Sequence, residues 1–304
     1  MVLTGYLAPE GFEHELAGEL ARAGVRVTAR HDRLFLSDDP AIDARWAANT
    51  WLDAEWLTVT SIGHAARELK ARQRNWSAYA PSHAGRSRLI TEKLPHVSSK
   101  PLGIGDVAPT PPLGSWMLLE PTLLLAAATC SDPFPNGAPR IDEQRVGPPS
   151  RAYLKLWEAL ARARRWPQAG EHCLDLGASP GGWTWLLAQT GAAVTAVDKA
   201  PLADDVARHP NVQWVQGSAF ALEPRDQPVV DWLFSDIICY PGRLLQLVQR
   251  WIDAGAARNI VCTIKFQGAT DHGVVADFAA IEGATVRHLH HNKHELTFTL
   301  LDIV

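Results

Sequence analysis

The ten residues from Asp175 to Thr184, D-L-G-A-S-P-G-G-W-T, have the composition of a loop that binds a nucleotide-like ligand. An apolar segment typical of a strand precedes the loop, and a segment typical of a helix follows it. Glycines allow a backbone to approach a ligand closely, and the first turn of a helix offers unpaired N–H groups. The spacing is G-x-x-x-G-G, so the dinucleotide fingerprint G-x-G-x-x-G is absent.

Asp198 adds a second part to this site. It ends the next predicted strand, 21 positions after Gly177, where a carboxylate can accept both hydroxyls of a ribose. This spacing alone suits NAD and S-adenosylmethionine equally. Because the loop lacks the pyrophosphate spacing, S-adenosylmethionine is favoured and an NAD-dependent oxidoreductase is disfavoured. A tight turn beside an unrelated surface aspartate is the structural alternative.

Three segments carry a resemblance to one family. The loop D-L-G-A-S-P-G-G-W-T resembles motif I of the FtsJ-like (RrmJ-fold) S-adenosylmethionine-dependent RNA 2′-O-methyltransferases. PFPNGAPRIDEQRVGPPSRAYLKLWEA and APEGFEHELAGEL are similar to the entry into the catalytic domain and to the first helix of the RlmM-type members. Those members methylate a cytidine 2′-hydroxyl of 23S rRNA. The resemblance implies the same reaction, with a ferredoxin-like piece and a THUMP RNA-binding domain ahead of the methyltransferase.

The resemblance also implies a catalytic Lys-Asp-Lys-Glu tetrad. One residue stands in each matching context: Lys155, Asp236, Lys265 and Glu295. We expect Lys265 to orient the ribose hydroxyl and to take its proton, which requires a neutral amine, while the two carboxylates balance the charge and fix the amines. No metal is expected, and His290, His291 and His294 are interpreted as strand and turn residues rather than ligands.

The cofactor contacts implied by the resemblance surround the same loop. They are Ser150, Asp175, Gly177, Ala178, Ser179, Pro180, Gly181, Gly182, Trp183, Asp198, Ser218 and Asp236. Ser218 departs from the family pattern, which commonly has an acidic residue that contacts adenine at this place. A hydroxyl can still accept one hydrogen bond, but without a charge.

Basic residues are concentrated in one segment, although the whole chain has a formal net charge of −4. Residues 60–100 contain eight Lys or Arg against two Asp or Glu. Such clusters can neutralise phosphates, or they can be a solvated helix face. The candidate RNA contacts are Lys70, Arg72, Arg74, Trp76, Arg86, Arg88 and Arg151. Core packing is the more frequent use of the other tryptophans, and Trp76 is selected as a stacking residue because Arg74 and Asn75 precede it.

The elements that must position these residues differ between the two halves of the chain. After residue 149, strands alternate with helices, which predicts an α/β fold: a seven-stranded, mostly parallel sheet that ends in an antiparallel hairpin turned at Asn292-Lys293. The first half predicts a smaller α+β region, including a helix over Ile42 to Trp51. We expect a ferredoxin-like unit (1–60), a THUMP-like region (61–130), a proline-rich linker (131–149) and an RrmJ-fold methyltransferase domain (150–304).

Composition excludes several classes. Of 304 residues, 46% are hydrophobic and 20% charged, as in globular proteins. Neither a signal peptide nor a membrane span is apparent, and the four cysteines lie far apart, so a cytoplasmic protein is expected. The oligomeric state is left open. The main alternative function is a non-catalytic RNA-binding or ribosome-assembly protein that retains the fold; a methyltransferase acting on protein or a small molecule also remains open.

Overall fold

The computed structural model describes residues 3–98 and 100–303. The chain divides into two compact units. Unit 1 comprises Met1–Pro101 and Ala108–Arg140, and unit 2 comprises Leu102–Val107 and Ile141–Val304.

The described residues of unit 1 form two sheets and three α-helices. Its elements are β1 (Thr4–Leu7), α1 (Glu13–Arg22), β2 (Val27–His31), β3 (Leu34–Ser37), β4 (Asn49–Leu52), β5 (Glu55–Thr58), α2 (Ile62–Arg72), β6 (Trp76–Ala78), α3 (Ala84–Thr91), β7 (Gly114–Glu120), β8 (Leu123–Ala127) and β9 (Thr129–Cys130). The first sheet has the order β2-β3-β1-β4-β9, with antiparallel neighbours throughout. The second has the order β5-β8-β7-β6.

The predicted helix over Ile42 to Trp51 is wrong. Residues 42–48 form turns and irregular chain, and Trp51 lies on β4 opposite Gly5 of β1. The Glu19 carboxylate on α1 accepts hydrogen bonds from the backbone N–H groups of Arg45 and Trp46, each at 2.9 Å. These contacts come from outside the segment, so local periodicity could not reveal them.

The apolar stretch from Trp116 to Cys130 forms strands on both sides of a break after Glu120. β7 and β8 pair as an antiparallel hairpin within the second sheet. Leu69 of α2 and Ile90 of α3 are fully buried in one core with Trp116 of β7 and Leu124 of β8. The helices therefore cover one face of this sheet.

Unit 2 is built from strands and helices in alternation. Its elements are α4 (Tyr153–Ala163), β10 (His172–Leu176), α5 (Gly182–Gln189), β11 (Ala193–Asp198), α6 (Asp204–Ala207), β12 (Val212–Gln216), β13 (Val230–Ser235), α7 (Pro241–Asp253), β14 (Ala257–Lys265), α8 (His272–Ala279), β15 (Thr285–Arg287) and β16 (Glu295–Leu300). The sheet has seven strands in the order β12-β11-β10-β13-β14-β16-β15. β16 runs antiparallel to both of its neighbours, and the other pairs are parallel.

Large aromatic side chains fill the core on one face of this sheet. Trp157 of α4 and Trp183 of α5 are buried with Trp232 and Phe234, which lie two residues apart on β13 and therefore point to the same face. Their rings bury large apolar areas and hold α4 and α5 against the sheet. This packing fixes the loop between β10 and α5.

The last hairpin differs from the predicted two-residue turn at Asn292-Lys293. Seven residues, 288–294, connect β15 to β16. The backbone N–H groups of His290 and His291 donate to the buried carboxylate of Glu158, each at 3.0 Å. His290 and His291 are therefore connection residues, because these bonds draw them out of the ladder toward α4.

Candidate functional site

The candidate site forms along one edge of the unit 2 sheet. β10, β11, β13 and β14 are parallel, so their carboxyl ends meet at this edge. β16 runs the opposite way, so its first residue, Glu295, reaches the same edge opposite Lys265, the last residue of β14. Because β16 is antiparallel, the side-chain carboxylate of its first residue lies at the edge where the parallel strands end.

A pocket of about 500 Å³ opens at this edge. Its lining includes eleven of the twelve predicted cofactor residues. They are Ser150, Asp175, Gly177, Ala178, Ser179, Pro180, Gly182, Trp183, Asp198, Ser218 and Asp236. Lys199, Phe220, Ile237, Ile238, Arg243 and Lys265 also contribute to the wall.

Gly181 is the predicted cofactor residue that does not line the pocket. Its φ is +110°, and a Cβ there would lie 3.0 Å from Val206 Cγ1 on α6. Gly177, with φ at +77°, does line the pocket, and a Cβ there would lie 2.3 Å from Ile237 Cγ1. The turn and the packing against α6 therefore require glycine at position 181.

Asp198 stands where a ribose-binding carboxylate is expected. Its two oxygens accept hydrogen bonds from the backbone N–H groups of Ser179, at 3.0 Å, and Ala200, at 2.9 Å. These bonds fix the carboxylate against the glycine loop, and the remaining lone pairs can accept hydroxyl groups of a ligand.

Asp175 lies at the floor of the pocket and is 1% exposed. One carboxyl oxygen accepts a hydrogen bond from Thr184 Oγ1 at 2.6 Å, and the other has no partner among the described residues. Burial raises the pKa of Asp175 to about 7, and the charges of Asp236 and Asp198 act in the same direction. The pocket therefore contains a buried oxygen that is open to a ligand donor.

The four predicted catalytic residues form one cluster. Lys155 Nζ lies 2.9 and 3.0 Å from the two carboxylate oxygens of Asp236 and 3.1 Å from Glu295 Oε1. Lys265 Nζ lies 3.0 Å from Asp236 Oδ1 and donates to the backbone carbonyl of Asp236. Since Lys155 lies on α4 and the other three at the sheet edge, only the tertiary fold assembles this cluster.

The cluster contains two basic and two acidic side chains, and all four are largely shielded from water. Burial by itself lowers the pKa of Lys155, but the carboxylates of Asp236 and Glu295 outweigh this effect and the net pKa is raised. Lys155 is accordingly a fixed cation that orients both carboxylates. Lys265 and Asp236 also line the pocket, so the polar cluster faces a bound ligand directly.

Thr263 is a member of the site that sequence reasoning missed. Its hydroxyl donates a hydrogen bond to Asp236 Oδ1. Thr263 precedes Lys265 by two positions on β14, and residues two apart on a strand share a face. Strand alternation could therefore have placed its hydroxyl beside the tetrad.

Glu158 is a second residue that sequence reasoning missed. It is fully buried on α4, and its carboxylate accepts hydrogen bonds from Arg162 Nε at 2.9 Å and His291 Nδ1 at 2.7 Å besides the two backbone N–H groups. Burial alone raises its pKa, but Arg162 and His291 reverse this effect and lower the pKa to about 2. An ionised Glu158 thus holds the connection that leads into Glu295.

Comparison with known proteins identifies the part of the chain that contains this site. Residues 148–281 match the family described as FtsJ-like methyltransferase. This range contains the pocket and three of the four clustered residues. Residues 148–281 are an FtsJ-like methyltransferase domain.

Relatives extend the similarity of the FtsJ-like domain. The ribosomal RNA large subunit methyltransferase M of Halorhodospira halophila is 38% identical over 172 residues, which cover 54% of this chain and 50% of that protein. The enzyme of the same name from Azoarcus sp. is 34% identical over 195 residues, covering 61% of this chain and 53% of that protein. The chain thus spans about half the length of these curated relatives.

Solved structures align less closely. The Methanococcus jannaschii fibrillarin pre-rRNA processing protein aligns with a TM-score of 0.37 and 17% identity, covering 45% of this chain and 68% of that chain. A similarity at this level adds nothing to the assignment.

The residues that line the pocket of the FtsJ-like domain suit S-adenosylmethionine. The glycine loop leaves space beside Asp198, and the free oxygen of Asp175 supplies a buried acceptor. Ser218 lines the pocket at the place expected for the adenine contact. The Arg243 guanidinium lies 3.8 Å from the centre of the Phe220 ring, a cation–π contact in the wall that the sequence did not reveal.

Six of the predicted RNA-contact residues lie in unit 1, and Arg151 lies in unit 2. Trp76 is wrong as a stacking residue: it is 3% exposed, and its indole N–H donates to the carbonyls of Leu69 and Gln73 at 3.0 Å. It lies in the unit 1 core because β6 pairs with β7 beneath α2 and α3.

The basic residues of unit 1 differ in how free their charges are. Lys70 and Arg74 are exposed. Arg72 is partly buried and its guanidinium binds Glu55 and Glu68, with Nη2 2.9 Å from Glu55 Oε2 and Nη1 3.0 Å from Glu68 Oε2. Arg86 is partly buried, and Arg88 is exposed and lies 3.5 Å from Glu92. In unit 2, the exposed Arg151 lies 2.9 Å from Glu143.

No group of three or more His, Cys, Asp or Glu side chains within 3–98 and 100–303 is arranged to hold a metal ion. Over the same part of the chain, no helix combines the length and apolar character needed to span a membrane.

Proposed function

We propose that this chain transfers the methyl group of S-adenosylmethionine to a ribose 2′-hydroxyl of large-subunit (23S) rRNA, at a cytidine. The observation that carries the proposal is that Lys265 and Asp236 belong both to the pocket wall and to the Lys155–Asp236–Lys265–Glu295 cluster. The donor pocket and the groups that handle the acceptor are thereby contiguous. The rRNA substrate rests on what the relatives are named for, and the cytidine rests on the resemblance of the sequence to RlmM-type enzymes.

S-adenosylmethionine supplies an activated methyl group on a sulfonium centre. The protein must hold the acceptor hydroxyl in line with that methyl group and remove its proton, and positioning supplies much of the rate. Lys265, at the edge of the pocket, orients the hydroxyl and accepts its proton. Asp236 fixes Lys265 by an ion pair. Lys155 in turn fixes Asp236, and Glu295 holds Lys155 in place.

The first part of the chain is proposed to bind the RNA. The sheet order β2-β3-β1-β4, with α1 between β1 and β2, supports a ferredoxin-like piece over 1–60. Strands β6, β7 and β8 of the second sheet, with α2 and α3, support a THUMP-like region over 61–130, and β5 of the 1–60 piece completes that sheet. A linker over 131–149 and the catalytic domain over 150–304 are proposed to follow. An enzyme that modifies ribosomal RNA is expected in the cytoplasm.

The test is a map of 2′-O-methylated nucleotides in rRNA. Mass spectrometry of nuclease-digested rRNA is compared between cells with the intact gene, without it, and with Lys265→Ala. We expect one methylated cytidine in 23S rRNA to depend on the intact gene, and Lys265→Ala to lower turnover by roughly 10²- to 10⁴-fold. Binding of S-adenosylhomocysteine to Lys265→Ala, measured by calorimetry, should persist.

Two results would contradict the proposal. Near-normal turnover by Lys265→Ala would remove its proposed role. An unchanged methylation map would favour the non-catalytic RNA-binding alternative, in which the fold is retained without transfer.

A further inference from the structure

Two large apolar side chains beside the tetrad are unusually exposed. Ile238 is 79% exposed and Tyr240 is 69% exposed, which places both among the three most exposed large hydrophobic residues of the described chain. They follow Asp236 by two and four positions. Single exposed apolar side chains are common, but two within three residues, directly after a tetrad residue, form a local apolar surface at the site.

The segment that bears these side chains is anchored. Cys239 is 8% exposed, and Pro241, the first residue of α7, is buried. Ile237 lies against Gly177, the glycine whose missing Cβ leaves room for it. Because alternate residues are held inward, Ile238 and Tyr240 are presented outward from a fixed backbone.

The surroundings of this segment combine apolar surface with positive charge. Ile238 and Arg243 both line the pocket, and Arg243 lies one turn into the helix that begins after Tyr240. Arg243 is an exposed residue, and its guanidinium lies over the ring of Phe220. An aromatic ring, an aliphatic side chain and a cation within six residues suit a ligand with a planar ring and a phosphate.

The chemistry of the acceptor specifies which planar ring this is. The base is attached to C1′ of the ribose. C1′ is bonded to C2′, the carbon that bears the 2′-hydroxyl. When that hydroxyl lies between Lys265 and the donor, the base must therefore lie beside the tetrad. A base in a duplex has both faces covered by its neighbours, so only an unstacked base can offer a face to a side chain.

We propose, on the basis of the proposed function, that Tyr240 and Ile238 form a stacking platform for the unpaired base of the acceptor nucleotide, with Arg243 contacting the adjoining phosphate. The substrate of the FtsJ-like domain is accordingly a single-stranded or extruded nucleotide. Ile238 and Arg243 also line the donor pocket, whereas Tyr240 does not, so Tyr240 contributes to RNA binding alone.

The first test measures RNA binding without methyl transfer. Fluorescence anisotropy follows a short fluorescein-labelled oligocytidylate, and a matched oligomer whose central nucleotides lack bases, in the presence of S-adenosylhomocysteine. Tyr240→Ala should weaken oligocytidylate binding roughly tenfold and leave binding of the abasic oligomer unchanged. Tyr240→Phe keeps the ring and should retain the affinity. Val229→Ala, which truncates another exposed apolar side chain of unit 2, is the matched control.

The second test measures methylation of 23S rRNA from cells that lack the gene. Tyr240→Ala should raise KM for RNA with unchanged calorimetric affinity for S-adenosylhomocysteine. Oligocytidylate binding equal to wild type in Tyr240→Ala would overturn the platform, and so would equal losses for RNA and S-adenosylhomocysteine, because a purely structural residue produces them. If the wild-type protein methylates no rRNA, the proposed function fails, while the anisotropy comparison still decides whether Tyr240 stacks on a base.

Discussion

Charged side chains are used differently in the two units of this protein. In unit 2, Glu158, Lys155 and Glu295 are buried, Asp236 and Lys265 are half-buried, and all five have oppositely charged partners. In unit 1, Arg72 holds Glu55 and Glu68 near the surface, and Lys70 and Arg74 face solvent.

Buried and exposed charges act differently: buried ones hold side chains in position, and exposed ones can attract a charged ligand. A buried ion pair costs desolvation, and loss of one partner leaves an unpaired charge in the interior, so its geometry is held strictly. An exposed pair is screened by solvent and salt and contributes little to stability, but free surface cations can attract phosphates over a distance. The buried charges, in unit 2 and at Glu19 of unit 1, therefore fix the groups around them, whereas exposed cations such as Lys70 and Arg74 are available to attract an anion.

Replacing Glu158 should have the largest effect on stability. Glu158→Gln removes the negative charge that pairs with Arg162 and His291, and we expect the free energy of unfolding to fall by roughly 3–5 kcal/mol. Urea denaturation measures it. Glu143→Gln, which removes the exposed partner of Arg151, is the control and should change the free energy by less than about 1 kcal/mol. Equal effects of the two variants would contradict the contrast between buried and exposed pairs.

The pH dependence of stability should report on Asp175. Its pKa in the fold, about 7, lies above the ordinary value of 3.8, so the folded protein binds this proton more tightly than the unfolded chain. The stabilisation from this proton is up to about 4 kcal/mol. It is complete below about pH 4 and is lost as the pH rises through about 7. Asp175→Asn should remove this loss.

Thermal unfolding from about pH 5 to about pH 8 measures the effect. Asp204→Asn, at an exposed aspartate of α6, should keep the wild-type profile. Parallel profiles for the wild type and Asp175→Asn would show that Asp175 is ionised in the fold.

A substitution of Trp76 tests whether this aromatic side chain of unit 1 serves packing. Trp76→Phe deletes the indole N–H that donates to two backbone carbonyls, and we expect a loss of roughly 1–3 kcal/mol in the free energy of unfolding. Oligocytidylate affinity should not change. Trp56→Phe, at a side chain that is 41% exposed, is the control. A loss of RNA affinity with full stability would restore Trp76 as an RNA contact.

The smallest expected effect concerns single cations of unit 1. Lys70→Ala should weaken RNA binding and reduce the slope of log affinity against log salt by roughly 1, because a free cation contacting one phosphate is lost. Arg72→Ala should change the slope less, since Glu55 and Glu68 already neutralise Arg72. Anisotropy titrations at several salt concentrations compare them, and an equal change in both variants would show that the ion pairs open on binding.

Local patterns predicted most of the elements in both units. The helix over Ile42 to Trp51 failed because Glu19 captures the backbone there, and the two-residue hairpin turn failed because Glu158 captures residues of the 288–294 connection. Both errors have one physical cause: a buried carboxylate from a distant helix supplies partners that local periodicity does not contain. Local spacing likewise did not show that the missing Cβ of Gly181 makes room for Val206.

The sequence by itself determined the glycine loop and the aspartate that ends the following strand, because these depend on local spacing. The four tetrad residues came from its resemblance to a known family. Only the tertiary structure decided that Lys155 reaches both Asp236 and Glu295, that Thr263 and Glu158 support them, and that Tyr240 faces outward. The physical reason is that strand direction and helix packing bring together atoms far apart in the chain, and their burial then sets the charges that persist.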